Sequence, residues 1–551
     1  MFISPAKLPI IKLTFNVTYA ARGNHDMSKI SPSDRPLDHG ILVLDYGSQY
    51  TLLIARRLRE IGVYSEVIDS RADAPPKGLT VKGIILSGGP DSVYEEGSRS
   101  LPAWVFAQNV PVLGICYGMQ LLVEISGGKV RSSTKREYGR ATMKLLPTKG
   151  PASLLFAPDP SKQTVWMSHG DDIGTIPLDY EIAGETDDHV VAAIVHKSKP
   201  IAALQYHPEV AHSEKGAELL KRFAHNLCGL ELTWDGKARV DALCKHITDV
   251  VGTGHVLVAC SGGVDSTVTA ALLLKALGPE RVTAVFCDTG LLRKNEVEWV
   301  SEKLKVLGLR HLEVLRSSDL FFTKLKGVTD PEQKRKIIGG LFIEEFEGYA
   351  KKHKEFTHLG QGTLYPDVIE SAGHGAGAKV IKSHHNVGGL PDRLALKLVE
   401  PFRWLFKDEV RSIGLELGLP DELIQRHPFP GPGLAVRILG EVTPERVEIL
   451  QNADHVFISA LREHELYHVP WQAFAVLLPV KSVGVMGDNR TYQQTIALRA
   501  VTSSDGMTAG VADLPLSFLT RVSDQIVRQV SGVNRVVYDI TTKPPATIEW
   551  E

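Results

Sequence analysis

Short apolar runs rich in β-branched residues alternate with longer amphipathic stretches along most of this chain. The short runs predict buried strands, which we place at 41–44, 84–86, 112–115, 256–260, 281–286 and 536–540. Stretches that have a helical repeat or are rich in Ala and Leu predict helices at 51–61, 119–125, 234–251, 267–277 and 516–530. Strands that alternate with helices build parallel sheets covered by helices, so the pattern predicts an α/β fold.

The positions of these elements predict two doubly wound parallel-sheet domains followed by a smaller α/β domain. We place the first domain at 39–232, the second at 233–435, and a C-terminal dimerisation domain at 436–551. Residues 1–38 contain four prolines and a polar run, so we expect a disordered extension there. A dispensable leader with a true start at Met27 and a targeting peptide are the two alternatives for this extension.

Composition narrows the possible partners of the chain. Its 551 residues are 43% hydrophobic and 23% charged, which is typical of a soluble globular protein. A net charge of −2 provides no general attraction to nucleic acid or to an anionic membrane. No apolar run reaches the ~18 residues of a membrane-spanning helix. The five cysteines form no C-x-x-C pair, which favours a reducing compartment, so we expect a cytoplasmic protein.

The first candidate site lies between strand 256–260 and the following helix, where the sequence reads Ser-Gly-Gly-Val-Asp-Ser. Glycines let backbone N–H groups approach an anion, and the start of a helix supplies unpaired donors. A simple turn uses the same residue types, but the six-residue order resembles the pyrophosphate loop of the N-type ATP pyrophosphatases. The resemblance implies that the whole loop binds the pyrophosphate of ATP, through Ser261, Gly262, Gly263, Val264, Asp265 and Ser266.

Further along this domain, four residues are candidates for contacts with the nucleotide or its metal. Asp288 follows strand 281–286 and either contacts the nucleoside or forms a plain turn. Asp367 and Glu370 share one face if the segment is helical, and could hold Mg²⁺ on the ATP phosphates. Lys382 lies in a glycine-rich segment that we expect to close over the nucleotide as a lid.

The second candidate site lies in the first domain, where Cys116 is flanked by Gly114 and Gly118 after a predicted strand. This G-x-C-x-G order is the thiol version of the nucleophile elbow, a sharp turn that exposes the sulfur at a helix start. His207 could act as its base. Glu209 follows two residues later, and on a strand both side chains would share one face, so Glu209 could orient the imidazole.

These motifs resemble the class I glutamine amidotransferases over nearly the whole first domain. The resemblance implies that Cys116 attacks the side-chain amide of glutamine to form a glutamyl thioester and release ammonia. It implies that His207 protonates the leaving amine and then activates water, while backbone N–H groups of Gly89 and Tyr117 hold the oxyanion. It also implies contacts to the bound glutamine from Gln120, Ser168 and His169.

The chain ends in Lys-Pro-Pro-Ala-Thr-Ile-Glu-Trp-Glu. With the two domains before it, this ending resembles a family of glutamine-hydrolysing ligases that aminate XMP to GMP, over about 39–551. The resemblance implies that ATP activates XMP as an adenylyl intermediate, with Mg²⁺ as cofactor, and that ammonia then displaces AMP. It implies a homodimer, and XMP contacts from Arg335, Asp488, Gln493, Lys543 and Glu549.

Two other kinds of function could explain some of these motifs. NAD synthetases, asparagine synthetases and tRNA thiolases share the pyrophosphatase loop, but the glutaminase motifs and the Lys-Pro-Pro ending argue against them. A protein of another class, a catalytically inactive sensor or scaffold that binds purine nucleotides, would not need the intact Cys116, His207 and Glu209. A ligase would form product, whereas a sensor or scaffold would only bind the nucleotide, so an assay of product formation distinguishes them.

Overall fold

A computed structural model describes residues 35–371, 396–486, 489–503 and 508–551, without the side chains of 133–137, 369–371, 486 and 489. The predicted residues Lys382 and Asp488 and the side chain of Glu370 therefore lie outside the described part. The strands are β1 His39–Asp45, β2 Ser65–Asp69, β3 Thr80–Leu86, β4 Val112–Ile115, β5 Lys129–Leu145, β6 Lys162–Thr175, β7 Tyr180–Thr186, β8 Val191–His196, β9 Ile201–Leu204, β10 His255–Cys260, β11 Val282–Asp288, β12 His311–Arg316, β13 Phe356–Gly360, β14 Lys397–Val399, β15 Gln472–Met486, β16 Asn489–Thr502, β17 Gly510–Val511 and β18 Val533–Asp539.

The α-helices are α1 Thr51–Glu60, α2 Trp104–Ala107, α3 Tyr117–Ile125, α4 Gly216–Arg222, α5 Gly236–Val251, α6 Val264–Leu277, α7 Glu296–Val306, α8 Ser318–Leu325, α9 Pro331–Lys352, α10 Tyr365–Ser371, α11 Lys407–Glu416, α12 Asp421–Ile424, α13 Pro444–Glu463 and α14 Leu516–Gln529. Within the described residues, no helix is long and apolar enough to cross a membrane. Each strand and helix that the sequence analysis placed by its residue range overlaps an observed one, which confirms the α/β class.

The first sheet has nine described strands in the order β2-β1-β3-β4-β9-β8-β7-β5-β6. Its strands are parallel from β2 to β9, as the sequence predicts. Beyond β9 the sheet continues with four antiparallel strands that the sequence analysis did not predict. The buried positions of β6 alternate strictly with less buried ones, which is the pattern of a strand covered on one face.

The second sheet is wholly parallel, in the order β12-β11-β10-β13-β14. Strand β10 is central, and its last residue Cys260 pairs with Phe286 of β11. Helix α6 begins at Val264, three residues before the predicted start, because Gly263 already has the extended conformation of an N-cap residue. The glycine loop and the first turn of α6 therefore lie at the carboxyl edge of the sheet, where ligands bind in folds of this kind.

The third sheet contains the long antiparallel hairpin β15–β16, which is extended by β17 and by the parallel strand β18. Helices α13 and α14 pack on this sheet through a common apolar core. Of the predicted N-terminal extension, the structure describes only 35–38, and there Arg35 makes an ion pair of 2.6 Å with the buried Glu66.

Buried polar contacts join the first domain to the second domain. The Glu409 carboxylate, on α11, accepts a hydrogen bond of 2.6 Å from the Trp234 indole and contacts the Arg59 guanidinium at 3.3 Å. The hydroxyl of Tyr365, on α10, accepts from the backbone N–H of Val67 in β2 at 2.5 Å. All of these side chains are buried, so the two domains share one continuous interior at this point.

Candidate functional sites

The nucleophile elbow is formed by β4, Cys116 and α3. Cys116 has φ of 52° and ψ of −107°, a conformation that costs a non-glycine residue energy and is concentrated at functional sites. A Cβ on Gly114 would lie 2.6 Å from the Gly118 carbonyl oxygen, and a Cβ on Gly118 would clash with the Leu86 carbonyl oxygen. Both glycines are therefore required by the tight approach of the helix to the sheet, as the motif predicts.

His207 and Glu209 form the pair that the sequence predicts, although not on a strand. Their Nδ1 and Oε1 atoms lie 2.6 Å apart, and both side chains are buried. Strand β9 ends at Leu204, and the two residues lie in the turn that follows, because Pro208 between them cannot donate to a sheet ladder. The prediction of a strand here is wrong, but the turn brings the same two groups into contact.

The environment of His207 favours its charged form. Burial alone would lower the pKa of His207, but the Glu209 carboxylate and the neighbouring Cys116 thiol outweigh it and raise the pKa well above its usual value. A Cβ on Gly88 would lie 3.2 Å from the imidazole Cε1 and 3.5 Å from the Cys116 Cβ, so this glycine packs between them. An imidazolium next to a thiol stabilises the thiolate, which is the nucleophilic form.

The residues predicted to contact glutamine or the oxyanion lie around Cys116. Ser168 and His169 belong to β6, and the Ser168 carbonyl oxygen accepts from the Cys116 thiol at 3.6 Å. Tyr117 is the first residue of α3, and a Cβ on Gly89 would lie 2.7 Å from the Tyr46 carbonyl oxygen. The geometry brings these residues to one place, while their individual roles stay predictions.

Two residues at this site were missed by the sequence analysis. The Gln205 side chain donates to Cys116 Sγ at 3.7 Å, and its Oε1 lies 3.5 Å from Nε2 of the predicted Gln120. The Tyr50 ring packs edge-on against the His207 imidazole, with centroids 5.0 Å apart. Gln205 lies only two residues before His207, which was the available signal, whereas nothing in the local sequence of Tyr50 indicates this contact.

The loop 261–266 has the form expected of an anion site. Gly262 has φ of +75°, which favours glycine, and the hydroxyls of Ser261 and Ser266 lie 3.2 Å apart. The Gly263 N–H lies 3.4 Å from Ser261 Oγ, a long contact that a stronger acceptor would replace. Val264 begins α6, so the unpaired N–H groups of a fourteen-residue helix face the same site.

Carboxylates next to the loop could hold a cation. Asp265 Oδ1 is buried and has no hydrogen-bond partner in the described part of the chain, while Oδ2 accepts from Lys407 at 3.3 Å. Asp367 lies in the first turn of α10, and its Oδ2 caps Leu364 N–H at 3.1 Å. The described residues contain no group of three His, Cys, Asp or Glu side chains that could hold a metal by themselves. Mg²⁺ usually takes one or two carboxylates and completes its shell with phosphate and water, so these residues fit it.

Asp288 lies at the end of β11, beyond the residue that pairs with Cys260. Its Oδ1 accepts from the Gly290 N–H at 3.0 Å, so the carboxylate shapes the turn that the sequence analysis left as an alternative. This contact occupies one oxygen. The predicted contact of Asp288 with the nucleotide stays a prediction.

The C-terminal segment is held in place against the second domain. Both oxygens of Glu549 bind the Arg437 guanidinium, at 2.8 and 3.0 Å, and Oε1 also accepts from Gln472 at 2.8 Å. Arg335 donates to the backbone oxygen of Glu551 at 2.5 Å. These contacts bring the start of α9 and the predicted Glu549 together, and the sequence analysis did not identify Arg437.

Next to this contact, Lys334 is completely buried and donates to Glu551 and to the carbonyl oxygens of Ala435 and Ile438, at 3.2 and 2.8 Å for the two carbonyls. Burial lowers the pKa of Lys334, while Glu551 opposes this shift. Lys543 exchanges two backbone hydrogen bonds with Ala509, at 2.8 and 3.0 Å. The C-terminal segment is therefore held in the fold by specific hydrogen bonds and ion pairs.

Gln493 lies in β16 opposite Ser482, and its Oε1 is buried without a hydrogen-bond partner among the described residues. Its role, like those of Lys543 and Arg335, stays a prediction.

Comparison with known proteins identifies the class of each part. Residues 42–227 match the family model for class-I glutamine amidotransferase, residues 237–315 that for NAD synthase, and residues 459–550 that for the GMP synthase C terminal domain. A solved glutamine amidotransferase from Thermotoga maritima aligns with 35% of this chain and 95% of its own, at 18% identity and a TM-score of 0.25. The family models thus define a class I glutamine amidotransferase domain that is joined, in one chain, to a synthase domain.

Relatives that match over nearly their whole length contain the same combination of domains in one chain. GMP synthase (glutamine-hydrolyzing) of Fusobacterium nucleatum is 51% identical over 513 residues, which are 93% of this chain and 99% of the relative. The proteins of the same name from Wolinella succinogenes and Aquifex aeolicus are each 52% identical over 93% of this chain, and 98% and 99% of their own lengths are covered. The chain belongs to the GMP synthase (glutamine-hydrolyzing) family, which confirms the resemblance found in the sequence.

Proposed function

We propose that this chain converts XMP, ATP, glutamine and water into GMP, AMP, pyrophosphate and glutamate. The observation that carries this proposal is the presence, in one chain, of the assembled Cys116–His207–Glu209 group and the glycine loop 261–266. The relatives that match over nearly their whole length carry the name of this activity. The amide nitrogen of glutamine becomes ammonia at the first site and the 2-amino group of GMP at the second.

At the first site, the Cys116 thiolate attacks the amide carbon of glutamine while backbone N–H groups of Gly89 and Tyr117 stabilise the oxyanion. His207 transfers its proton to the nitrogen, the C–N bond breaks, and ammonia leaves a glutamyl thioester. The imidazole then takes a proton from water, which attacks the thioester and releases glutamate. The raised pKa of His207 supports its first role, because the imidazolium is the proton donor.

At the second site, the C2 oxygen of XMP attacks the α-phosphorus of ATP, and the bond to the β-phosphate breaks. The loop 261–266 binds the departing pyrophosphate with backbone N–H groups and the two serine hydroxyls. Ammonia then adds to C2, the C2–O bond breaks, and AMP leaves. Arg335, Lys543 and Glu549 would hold XMP, with Arg437 keeping the Glu549 carboxylate oriented.

Mg²⁺ would be held by Asp265 and Asp367, together with phosphate oxygens. Bound there, it would neutralise the charge that develops on the departing pyrophosphate. The buried Asp265 Oδ1 without a partner in the described chain supports this assignment. Loss of pyrophosphate release in Asp265→Ala with either nitrogen source is the expected result, whereas retained release would remove Asp265 from the chemistry.

A homodimer through the last domain is supported by an exposed apolar patch on the hairpin β15–β16. Val483 and Tyr492 are directly opposite each other, Val485 follows on the same face, and all three are exposed. Soluble monomers rarely expose contiguous apolar patches of this kind, so we propose that a second copy covers it.

The five cysteines are all free, which supports the expected reducing, cytoplasmic compartment.

The experiment is incubation with XMP and ATP–Mg²⁺, once with glutamine and once with an ammonium salt, with GMP and pyrophosphate as the measured products. Turnover with both nitrogen sources is the expected result. Nucleotide binding without GMP from either source would instead support the alternative function, a purine-nucleotide sensor or scaffold.

A further inference from the structure

Arg426 contacts the pyrophosphate loop through the carbonyl group of Gly262. The residue lies just after α12, and its Nη1 donates to the Gly262 carbonyl oxygen at 2.7 Å. Its Nη2 binds Oε1 of Glu296, at the start of α7, and its guanidinium stacks over the Trp299 ring at 4.7 Å. The Arg426 and Glu296 side chains are 10% and 4% exposed, so the contact is shielded from water.

The bond to Gly262 determines which way the next peptide group faces. In a trans peptide, the carbonyl of one residue and the N–H of the next point in opposite directions. Because Arg426 holds the Gly262 carbonyl on its own side, the Gly263 N–H faces away from Arg426, toward Ser261 Oγ at 3.4 Å. A peptide between two glycines rotates easily, and the opposite orientation would place a carbonyl oxygen where the anion binds.

Packing around Gly262 reinforces this arrangement. A Cβ on Gly262 would lie 3.1 Å from Val300, 3.3 Å from Phe286 and 3.5 Å from Glu296 Oε1, so the loop lies directly on α7 and β11. Glu296 thus lies next to the loop and also binds the guanidinium of Arg426. A planar fork can reach two acceptors in fixed directions, whereas the ammonium of lysine acts as a single point charge.

We propose that Arg426 is a positioning residue that fixes the Gly262–Gly263 peptide with its N–H toward the phosphate site, and that Glu296 orients Arg426. This inference rests on the proposed pyrophosphate-binding function of loop 261–266. Arg426 does not itself contact the substrate in this account. Its loss is therefore expected to weaken binding of ATP and pyrophosphate, and to leave XMP binding and glutamine hydrolysis unchanged.

The test compares Arg426→Lys and Glu296→Gln with the native enzyme in the ammonia-dependent reaction. We expect Arg426→Lys to raise both the KM for ATP and the inhibition constant of pyrophosphate by about tenfold, since one charge-assisted hydrogen bond is lost. The KM for XMP should stay within about twofold of the native value. Arg310→Lys is the matched control, because Arg310 pairs with Glu280 on the exposed surface of the same domain and should change neither constant.

Two results would overturn the inference. One is an Arg426→Lys enzyme whose ATP and pyrophosphate constants are native, and the other is an equal change in the constants of ATP and XMP. The thermal midpoint shows whether Arg426→Lys folds. If it does not, the constants of Glu296→Gln for ATP, pyrophosphate and XMP test the inference in its place. Ser266→Ala separates this inference from the proposed function: if it leaves both constants unchanged, the loop does not bind pyrophosphate, and if it alone changes them, only the role of Arg426 is wrong.

Discussion

The buried carboxylate of Glu209 favours the charged form of the imidazole next to Cys116. Its Oε1 binds His207 Nδ1, and its Oε2 has no hydrogen-bond partner among the described residues. A buried carboxylate with a single cationic partner stabilises the imidazolium strongly, because no solvent screens the pair. The rate of glutamine hydrolysis should therefore depend on one oxygen atom of this side chain.

Glu209→Gln is expected to lower the rate of glutamine hydrolysis by about 10²- to 10⁴-fold, because an amide neither stabilises the imidazolium nor fixes its tautomer. The measurement is glutamate release in the presence of XMP and ATP. Glu214→Gln is the control, since Glu214 is an exposed carboxylate of the neighbouring turn that binds Thr164. A native rate in Glu209→Gln would contradict the role assigned to this pair.

His427 contributes a pH dependence to the stability of the folded chain. Its Nε2 donates to the Tyr467 carbonyl oxygen and its Nδ1 accepts from Ala473 N–H, which suits the neutral ring, and burial lowers its pKa to about 4. The unfolded chain, with a histidine pKa of about 6.5, binds the proton first as the pH falls. Stability contributed by neutral His427 is therefore complete above about pH 6.5 and is lost progressively toward pH 4, on the order of 3 kcal/mol in total.

The corresponding prediction is that His427→Gln loses less stability than the native protein between pH 7 and pH 5. The measurement is the denaturant midpoint at both values. His455→Gln, at an exposed position of α13, should behave as the native protein does. Equal pH dependence in native protein and His427→Gln would show that His427 does not titrate as proposed.

At the scale of elements, the sequence identified the strand-turn-helix units well because their signals are local. The elbow at Cys116 and the loop before α6 each combine an apolar run, glycines and a helix start within about fifteen residues. Strands β5 to β8 were missed. In β6 the buried positions alternate, but three of them are the polar residues Gln163, His169 and Asp171, so no clear apolar pattern marks the strand. The Arg437 contact with Glu549 and the Gln205 contact with Cys116 depend on tertiary packing, which no local pattern encodes.

Gly118→Ala tests the elbow as an element. The added methyl group would clash with the Leu86 carbonyl oxygen, so α3 must move away from the sheet. We expect the free energy of unfolding to fall by about 1–3 kcal/mol and the rate of glutamine hydrolysis to decrease strongly. Ammonia-dependent GMP formation should be retained. Gly339→Ala is the control, because a Cβ there meets no atom within 4 Å and alanine favours a helix. Native glutamine hydrolysis in Gly118→Ala would show that the tight turn is not required.

At the scale of the whole molecule, buried contacts join the two domains to which the two reactions are assigned. Ammonia released into water at neutral pH would be protonated and would diffuse away, so the two domains must pass it between them. The buried Glu409, bound by Trp234 and Arg59 and 3.4 Å from Arg239 Nε, lies at the junction of the domains. Its carboxylate compensates the charge of two buried guanidinium groups.

Glu409→Gln is expected to lower the free energy of unfolding by about 3–5 kcal/mol, because it leaves buried arginines without a counter-charge. Chemical denaturation of the whole chain measures this loss. Glu416→Gln, at the exposed end of the same helix, should change stability by less than about 0.5 kcal/mol. Equal stability of the two variants would mean that the domains are held together by other contacts.

The most direct test of two coupled sites in one chain is GMP formation by Cys116→Ala with glutamine and with an ammonium salt. The loss of XMP absorbance in the presence of ATP–Mg²⁺ measures the reaction. We expect Cys116→Ala to form no GMP with glutamine and to keep the native rate with ammonium, because the second site does not use the thiol. Loss of both activities, or retention of the glutamine-dependent one, would contradict the account.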